Sequence, residues 1–337
     1  MLSKHQIFGL LFLAFLCCGA TVRGEESVAH ENPVKSLITS LRETWKQKEI
    51  GMMGPVKRFL LFQDDAQNIR REYFGNDDSF GKDLIDLFQN GNPIDRLDAL
   101  DLISKCELQD KSIIDFLLVS FSEMSLEEKC KTIHLIARPR DNTGLDFLLS
   151  LLTEEAQQAS LIATVARNLV AYKKMPGTSK KEQKEIVQRI GEALVPFLAD
   201  KRQYGVAITL DMVSSYPLYR EIALALAELK YTTPEISKQL KELFQEPRSS
   251  CRLDIAYAAY CLNSKEEWAF DFLTQTALTH ESKYIRRNAV FYLGQVRGRE
   301  SLSYLKTVFE KDKSNFVKIG ALNAMRYILE AEEKFEF

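Results

Sequence analysis

The sequence predicts an all-α protein, an α-solenoid of stacked helical hairpins. Two observations carry that expectation. Ser282-Lys283-Tyr284-Ile285-Arg286-Arg287-Asn288-Ala289-Val290-Phe291-Tyr292-Leu293 aligns with Ser314-Asn315-Phe316-Val317-Lys318-Ile319-Gly320-Ala321-Leu322-Asn323-Ala324-Met325 at a constant offset of 32 residues, and a looser copy, Arg252 to Ala259, starts 34 residues before Arg286. A fixed period of this size marks a helical unit that buries its apolar side only by stacking on its neighbours. From Phe80 to Leu329, moreover, apolar residues recur at helical spacing, and no stretch alternates apolar and polar residues between hairpin turns, so strands are not expected.

The elements follow in order. After Pro33, residues Val34, Leu37, Ile38, Leu41 and Trp45 share one helical face, and Gly51 to Pro55 interrupts the pattern. A second helix, from Val56 to Tyr73, precedes the turn cluster Gly75-Asn76-Asp77-Asp78. Residues 33–74 are therefore expected to form a helical pair that caps an array over 80–337. Within the array, Phe80 to Phe88 is a first helix, and Pro93 opens the next at a first-turn position. Helical spacing continues through 113–121, 133–136, 145–152, 159–171, 183–198, 205–213, 218–229 and 235–244, then onward to Leu329. Lys173 to Lys181, which is basic and contains Pro176-Gly177, is expected to be a solvated loop longer than its neighbours.

Composition agrees with a folded chain and argues against nucleic acid as partner. The chain is 45% hydrophobic and 27% charged, and its formal net charge is −2. Binding to phosphates normally demands a clear basic excess. At the start, Lys4 and His5 precede the apolar run Ile7 to Leu16, followed by Cys17-Cys18-Gly19-Ala20 and Val22-Arg23-Gly24. The run is short for a bilayer span, so residues 1–24 are expected to be a signal peptide, cleaved after Ala20 or Gly24. A lipoprotein signal on Cys17 or Cys18 is the alternative, although bulky Phe15 and Leu16 stand where such signals carry small residues. The expected location is the periplasm or cell envelope. Membrane association would come only through the signal or such a lipid.

The pattern Ser282-x-x-Ile285-Arg286-x-x-Ala289-x-x-x-Leu293-Gly294 resembles HEAT-like repeats, particularly the short type of phycobilisome lyases and bacterial scaffold proteins. Ser314-x-x-Val317-Lys318-x-x-Ala321 fits with Lys for Arg, the fit around 249–262 is partial, and Arg96 to Ile103 is a faint echo. The resemblance implies an armadillo-like array. It also assigns structural roles: a capping Ser at each helix start, Ala289 and Ala321 where helices approach, and Gly294 as a left-handed helix end. Arg286 and Lys318 are expected in a ladder that reaches polar groups of the adjacent unit, with ligand binding as the alternative.

Some proteins of this repeat type are enzymes. Iron-binding ones hold two metals with several His-Glu pairs, whereas this chain has only His30-Glu31, outside the array, and His280-Glu281 at a helix start. No phosphate loop, Gly-x-Ser-x-Gly elbow or Cys-x-x-Cys pair is present in the sequence. No catalytic residue, metal ligand or cofactor is expected. Cys251 and Cys261 fall on one helix, ~15 Å apart and beyond disulfide reach. Cys106 and Cys130, 24 residues apart, are either bridged across neighbouring helices or small buried hydrophobes. The sequence thus points to an exported scaffold that binds another protein through the curved face of its array. A bilin-lyase-type enzyme or cofactor chaperone, or a lipid-anchored structural envelope protein, is the alternative.

Overall fold

The computed structural model describes residues 35, 36, 39, 79–106, 108, 111–137, 142–153, 158–209, 212–246, 249–296 and 298–333. The chain divides into two compact units, Met1–Ile50 and Gly51–Phe337. In the first, the described residues 35, 36 and 39 are helical, with Thr39 Oγ1 donating to Lys35 O at 2.9 Å. The expected signal at 1–24 lies outside the described residues, as does nearly all of the expected cap at 33–74.

The second unit is an α-solenoid of stacked helical hairpins. Its helices are α1 (Ser79–Asn90), α2 (Pro93–Lys105), α3 (Lys111–Ser120), α4 (Leu126–Ile136), α5 (Asn142–Leu151), α6 (Ala159–Leu169) and α7 (Lys180–Leu194). A hairpin of β1 (Gln203–Thr209) and β2 (Met212–Pro217) intervenes. Then come α8 (Leu218–Leu229), α9 (Pro234–Phe244), α10 (Ser249–Leu262), α11 (Glu267–Thr279), α12 (Lys283–Gln295), α13 (Arg299–Lys311) and α14 (Asn315–Glu333). Each odd helix packs on the even helix that follows it. Consecutive even helices, from α2 to α14, pack on one another in a continuous row. The core lies between the layers: Leu84, Ile103, Leu117, Ile133, Leu148, Leu169, Leu226, Ile255, Leu273, Leu293 and Ile328 are all buried. Among the described residues, no helix is long and apolar enough to cross a membrane.

Local chemistry sets several helix starts. Asn92, Ser125 and Ser179 each form a capping box with the acidic residue three positions on, Asp95, Glu128 and Glu182, so that two orphan donors are satisfied together. Pro93 stands in the first turn of α2, as its missing N–H allows.

Four expectations need correction. Residues 205–213 are not helical, because β1 and β2 pair antiparallel there with Tyr204 opposite Tyr216. Gly205 and the β-branched Val206, Ile208, Thr209 and Val213 disfavour a helix. An isolated two-stranded hairpin is marginal in water; here β1 packs on α6 and β2 on α8. The hairpin base also serves α8, whose first N–H groups, Leu218 and Tyr219, donate to Arg202 O and Asp200 O at 2.8 and 3.0 Å. The second correction concerns Ser282, which sits at the N-cap of α12 without a side-chain capping bond. Third, Gly294 is buried inside α12 rather than left-handed at its end. A Cβ there would meet Ala324 Cβ at 2.8 Å and its Cα at 3.1 Å, so the glycine permits close approach of α12 and α14. Fourth, the interruption expected over 173–181 is shorter. A 3-10 turn, Val170–Lys174, leads to five residues before α7, and Gly177 takes φ 78° within them.

Candidate protein interface

The row of even helices is tied together by a ladder of polar side chains. On α2, Arg96 Nη2 donates to Glu128 Oε2 of α4 at 3.3 Å. Arg96 Nε lies 2.8 Å from Oε1 but off the hydrogen-bonding direction, which makes that contact ionic. On α6, Arg167 donates from Nε and Nη2 to the two oxygens of Glu221 on α8, each at 3.0 Å. Arg220 of α8 pairs in turn with Asp254 of α10, and Tyr292 of α12 donates to the same carboxylate. Finally Arg286 of α12 donates from Nε and Nη2 to Asp312, just ahead of α14, at 2.6 and 3.0 Å.

Three of the four rungs share a design. Glu128, Glu221 and Asp312 stand at the starts of their helices, where a carboxylate also meets the unpaired N–H groups and positive end of the helix. Glu128 accepts from Ser125 N at 2.7 Å and Asp312 accepts from Ser314 N at 2.7 Å while each holds its arginine. At these two rungs one carboxylate therefore both caps a helix start and clamps the helix before it.

The middle of the ladder gathers the buried residues Tyr204, Glu221 and Asp254. Tyr204 of β1 donates its hydroxyl to Glu221 Oε2 at 2.7 Å, and Arg220 Nη1 lies 3.4 Å from the Tyr204 oxygen. Arg220 also stacks on the Tyr216 ring at 4.4 Å, so the hairpin is pinned to the ladder by both tyrosines. Burial opposes the Glu221 carboxylate, yet the hydrogen bonds and charge of Arg167, aided by Tyr204 and Arg220, hold its pKa below the usual value. Burial, then the neighbouring Glu221 charge, pushes the Tyr204 phenol up, and burial with Asp254 does the same to Tyr292. Both remain proton donors. Tyr292 stacks on Tyr257 with centroids 4.3 Å apart, and the Cys261 thiol beside Tyr257 is pushed up chiefly by burial.

Exposed apolar surface is concentrated at the other end of the array. Among the described residues, only Ile94, Val119 and Leu278 of the large apolar side chains left in water lie outside α12–α14. Tyr284 is 63% exposed, Phe291 51% and Ile319 59%, joined by Tyr304, Phe309, Phe316, Leu322, Tyr327 and Leu329. Between α12 and α14 runs a groove of about 200 Å³, floored by Gly294, Gly320 and Ala324 and walled by Arg287, Phe291, Gln295, Asn323 and Tyr327. At its upper end the Arg287 guanidinium lies 4.9 Å over the Phe316 ring, which in turn meets Tyr284 edge-on at 6.0 Å.

The sequence-predicted residues divide between these features. Arg286 is a rung, and its Nη1 also donates to His280 O and Glu281 O at 2.7 and 2.9 Å. Lys318 reaches Glu310 O at 3.3 Å. Ala289, Leu293, Val317 and Ala321 are fully buried, with Ile285 and Ser314 partly so. His280 Nδ1 accepts from Ser282 N at 3.1 Å. Among the described residues, no group of three or more His, Cys, Asp and Glu could hold a metal ion, and His30-Glu31 lies outside them. No disulfide joins Cys106 to Cys130, which resolves the open alternative. The Cys130 sulfur faces α6 instead, accepting from Thr164 Oγ1 at 3.5 Å. Sequence reasoning missed Arg167, Tyr204, Arg220, Glu221 and Asp254. The only signal for Arg167, Arg220, Glu221 and Asp254 was a charged residue inside otherwise apolar helical segments, and Tyr204 carried none.

No family model matches the chain, and no curated protein matches it. Among solved structures it is similar to the complex of CpcE and CpcF of phycocyanin lyase from Nostoc sp. PCC7120, at 16% identity and a TM-score of 0.47. That match covers 74% of this chain and 94% of the other.

Proposed function

We propose that this protein is a non-enzymatic scaffold, exported to the cell envelope, which binds another protein through the α12–α14 end of its array. The observation that carries the reading is the clustering of Tyr284, Phe291, Phe316, Ile319, Leu322 and Tyr327 in water on two adjacent helices. Contiguous apolar surface of this kind, rich in aromatics, is characteristic of protein interfaces. The absence of catalysis is supported by the use of the ladder's acids, phenols and guanidiniums: they are spent on one another across consecutive helices. The export signal read at residues 1–24 supports the location.

Affinity capture from an envelope extract tests the reading, with the wild-type chain and the Phe291→Asp and Ile319→Asp variants as baits. One partner retained by the wild type and lost by both variants is the expected result. A partner held equally by all three baits would refute this surface. Copurification of a visible chromophore would favour the cofactor-chaperone alternative instead.

A further inference from the structure

Resting on the interface reading, we propose that the α12–α14 groove takes an acidic segment of the partner that inserts one large apolar side chain beside a carboxylate. The groove's size sets the first half of that description. At about 200 Å³ it falls below the ~300–1,000 Å³ of small-molecule and cofactor pockets, but it can seat a side chain. Its floor is made of the small residues Gly294, Gly320 and Ala324, between the apolar walls of Phe291 and Tyr327.

Charge sets the second half. Arg287 is the one ionised residue lining the groove, and no acidic side chain lines it. The four ladder arginines, Arg96, Arg167, Arg220 and Arg286, each have a carboxylate partner, and Arg252 donates to Phe244 O. Among the described residues the Arg287 guanidinium meets only the face of Phe316, which leaves its in-plane N–H donors available. A purely apolar partner closing over the groove would strip water from that cation and replace it with nothing, which is strongly unfavourable. A partner carboxylate, accepting two parallel N–H bonds, removes the penalty and fixes the orientation of the inserted side chain.

A random dodecapeptide phage library, selected on the full chain, tests this. The expected outcome is enrichment of peptides with Asp or Glu next to Phe, Leu or Trp. Synthetic copies should lose at least about thirtyfold in affinity on Arg287→Glu, and a comparable amount on Asn323→Trp, which fills the groove from an exposed position. Circular dichroism establishes that both variants remain folded. Failure to enrich, enrichment of basic or uncharged peptides, or acidic peptides indifferent to both substitutions would each overturn the proposal. So would concentration-dependent dimerisation abolished by Asn323→Trp, which would make a second copy the occupant. If the captured partner is still lost by Phe291→Asp while any of these occurs, the groove assignment fails and the interface reading stands.

Discussion

Arg167 grips Glu221 with two parallel hydrogen bonds of 3.0 Å across 54 residues of sequence, and the β-hairpin is pinned over the same carboxylate by Tyr204. This junction joins the first half of the array to the second. Glu221 is 7% exposed, so its charge depends on those partners.

Glu221→Ala should therefore destabilise strongly. The substitution removes three hydrogen bonds to a charged group, two from Arg167 and one from Tyr204, and leaves the buried Tyr204 hydroxyl without its acceptor, a loss of about 3–5 kcal/mol in all. Arg167→Ala should cost less, roughly 1–3 kcal/mol, since Arg167 is half-exposed and Glu221 keeps Tyr204. Tyr204→Phe should lose ~1.5–3 kcal/mol, the range for a hydrogen bond to a charged group. Urea denaturation of the three variants checks both size and order.

The same carboxylate predicts an acid dependence. Its folded-state pKa lies below the ordinary 4.5, so its contribution is present above that value and is lost as pH falls through the folded pKa. Stability of the wild type should drop steeply below about pH 4.5, and Glu221→Gln should show a shallower drop there. Parallel acid titration curves for the two proteins would contradict the assignment.

Two glycines on the α12–α14 contact should respond with opposite signs. Gly294→Ala drives a methyl to 2.8 Å from Ala324 Cβ and 3.1 Å from its backbone, and overpacking of this kind typically costs ~1–3 kcal/mol. Gly320→Ala meets only the flexible Arg287 side chain at 3.3 Å, with Val290 at 3.6 Å. There the helix preference for Ala over Gly, about 1 kcal/mol, should dominate and leave the protein as stable or more so. Thermal melts distinguish the two.

Thiol alkylation of protein unfolded without reductant should label Cys106, Cys130, Cys251 and Cys261 alike. A recovered Cys106–Cys130 peptide would show that the packing of Cys130 against Thr164 is wrong.

Helix order was legible because apolar spacing and turn residues are local signals, and the Arg286 rung because it lies in the best-matched repeat. The wider ladder was not legible. Its partners are separated by 32 residues for Arg96–Glu128, 34 for Arg220–Asp254 and 54 for Arg167–Glu221, since the hairpin is inserted between the last two. A periodic search cannot pair charges at unequal separations. The hairpin itself was hidden because Val206, Ile208 and Val213 fit a helical apolar pattern when read alone. What decides its conformation is a tertiary bond, from Tyr204 to a helix that follows it. Gly294 was noticed for the right reason, its missing Cβ, but that freedom is used for packing and not for a turn.

In the proposed function, partner binding resides in the surface of α12–α14 and not in the buried ladder. Hydrogen–deuterium exchange of the full chain, alone and bound to its captured partner, tests that claim most directly. Slowed exchange should be confined largely to residues 283–333, with binding retained in a folded Tyr204→Phe variant. Protection centred on α6, α8 and the hairpin, together with an activity that Tyr204→Phe abolishes in a still-folded chain, would contradict it.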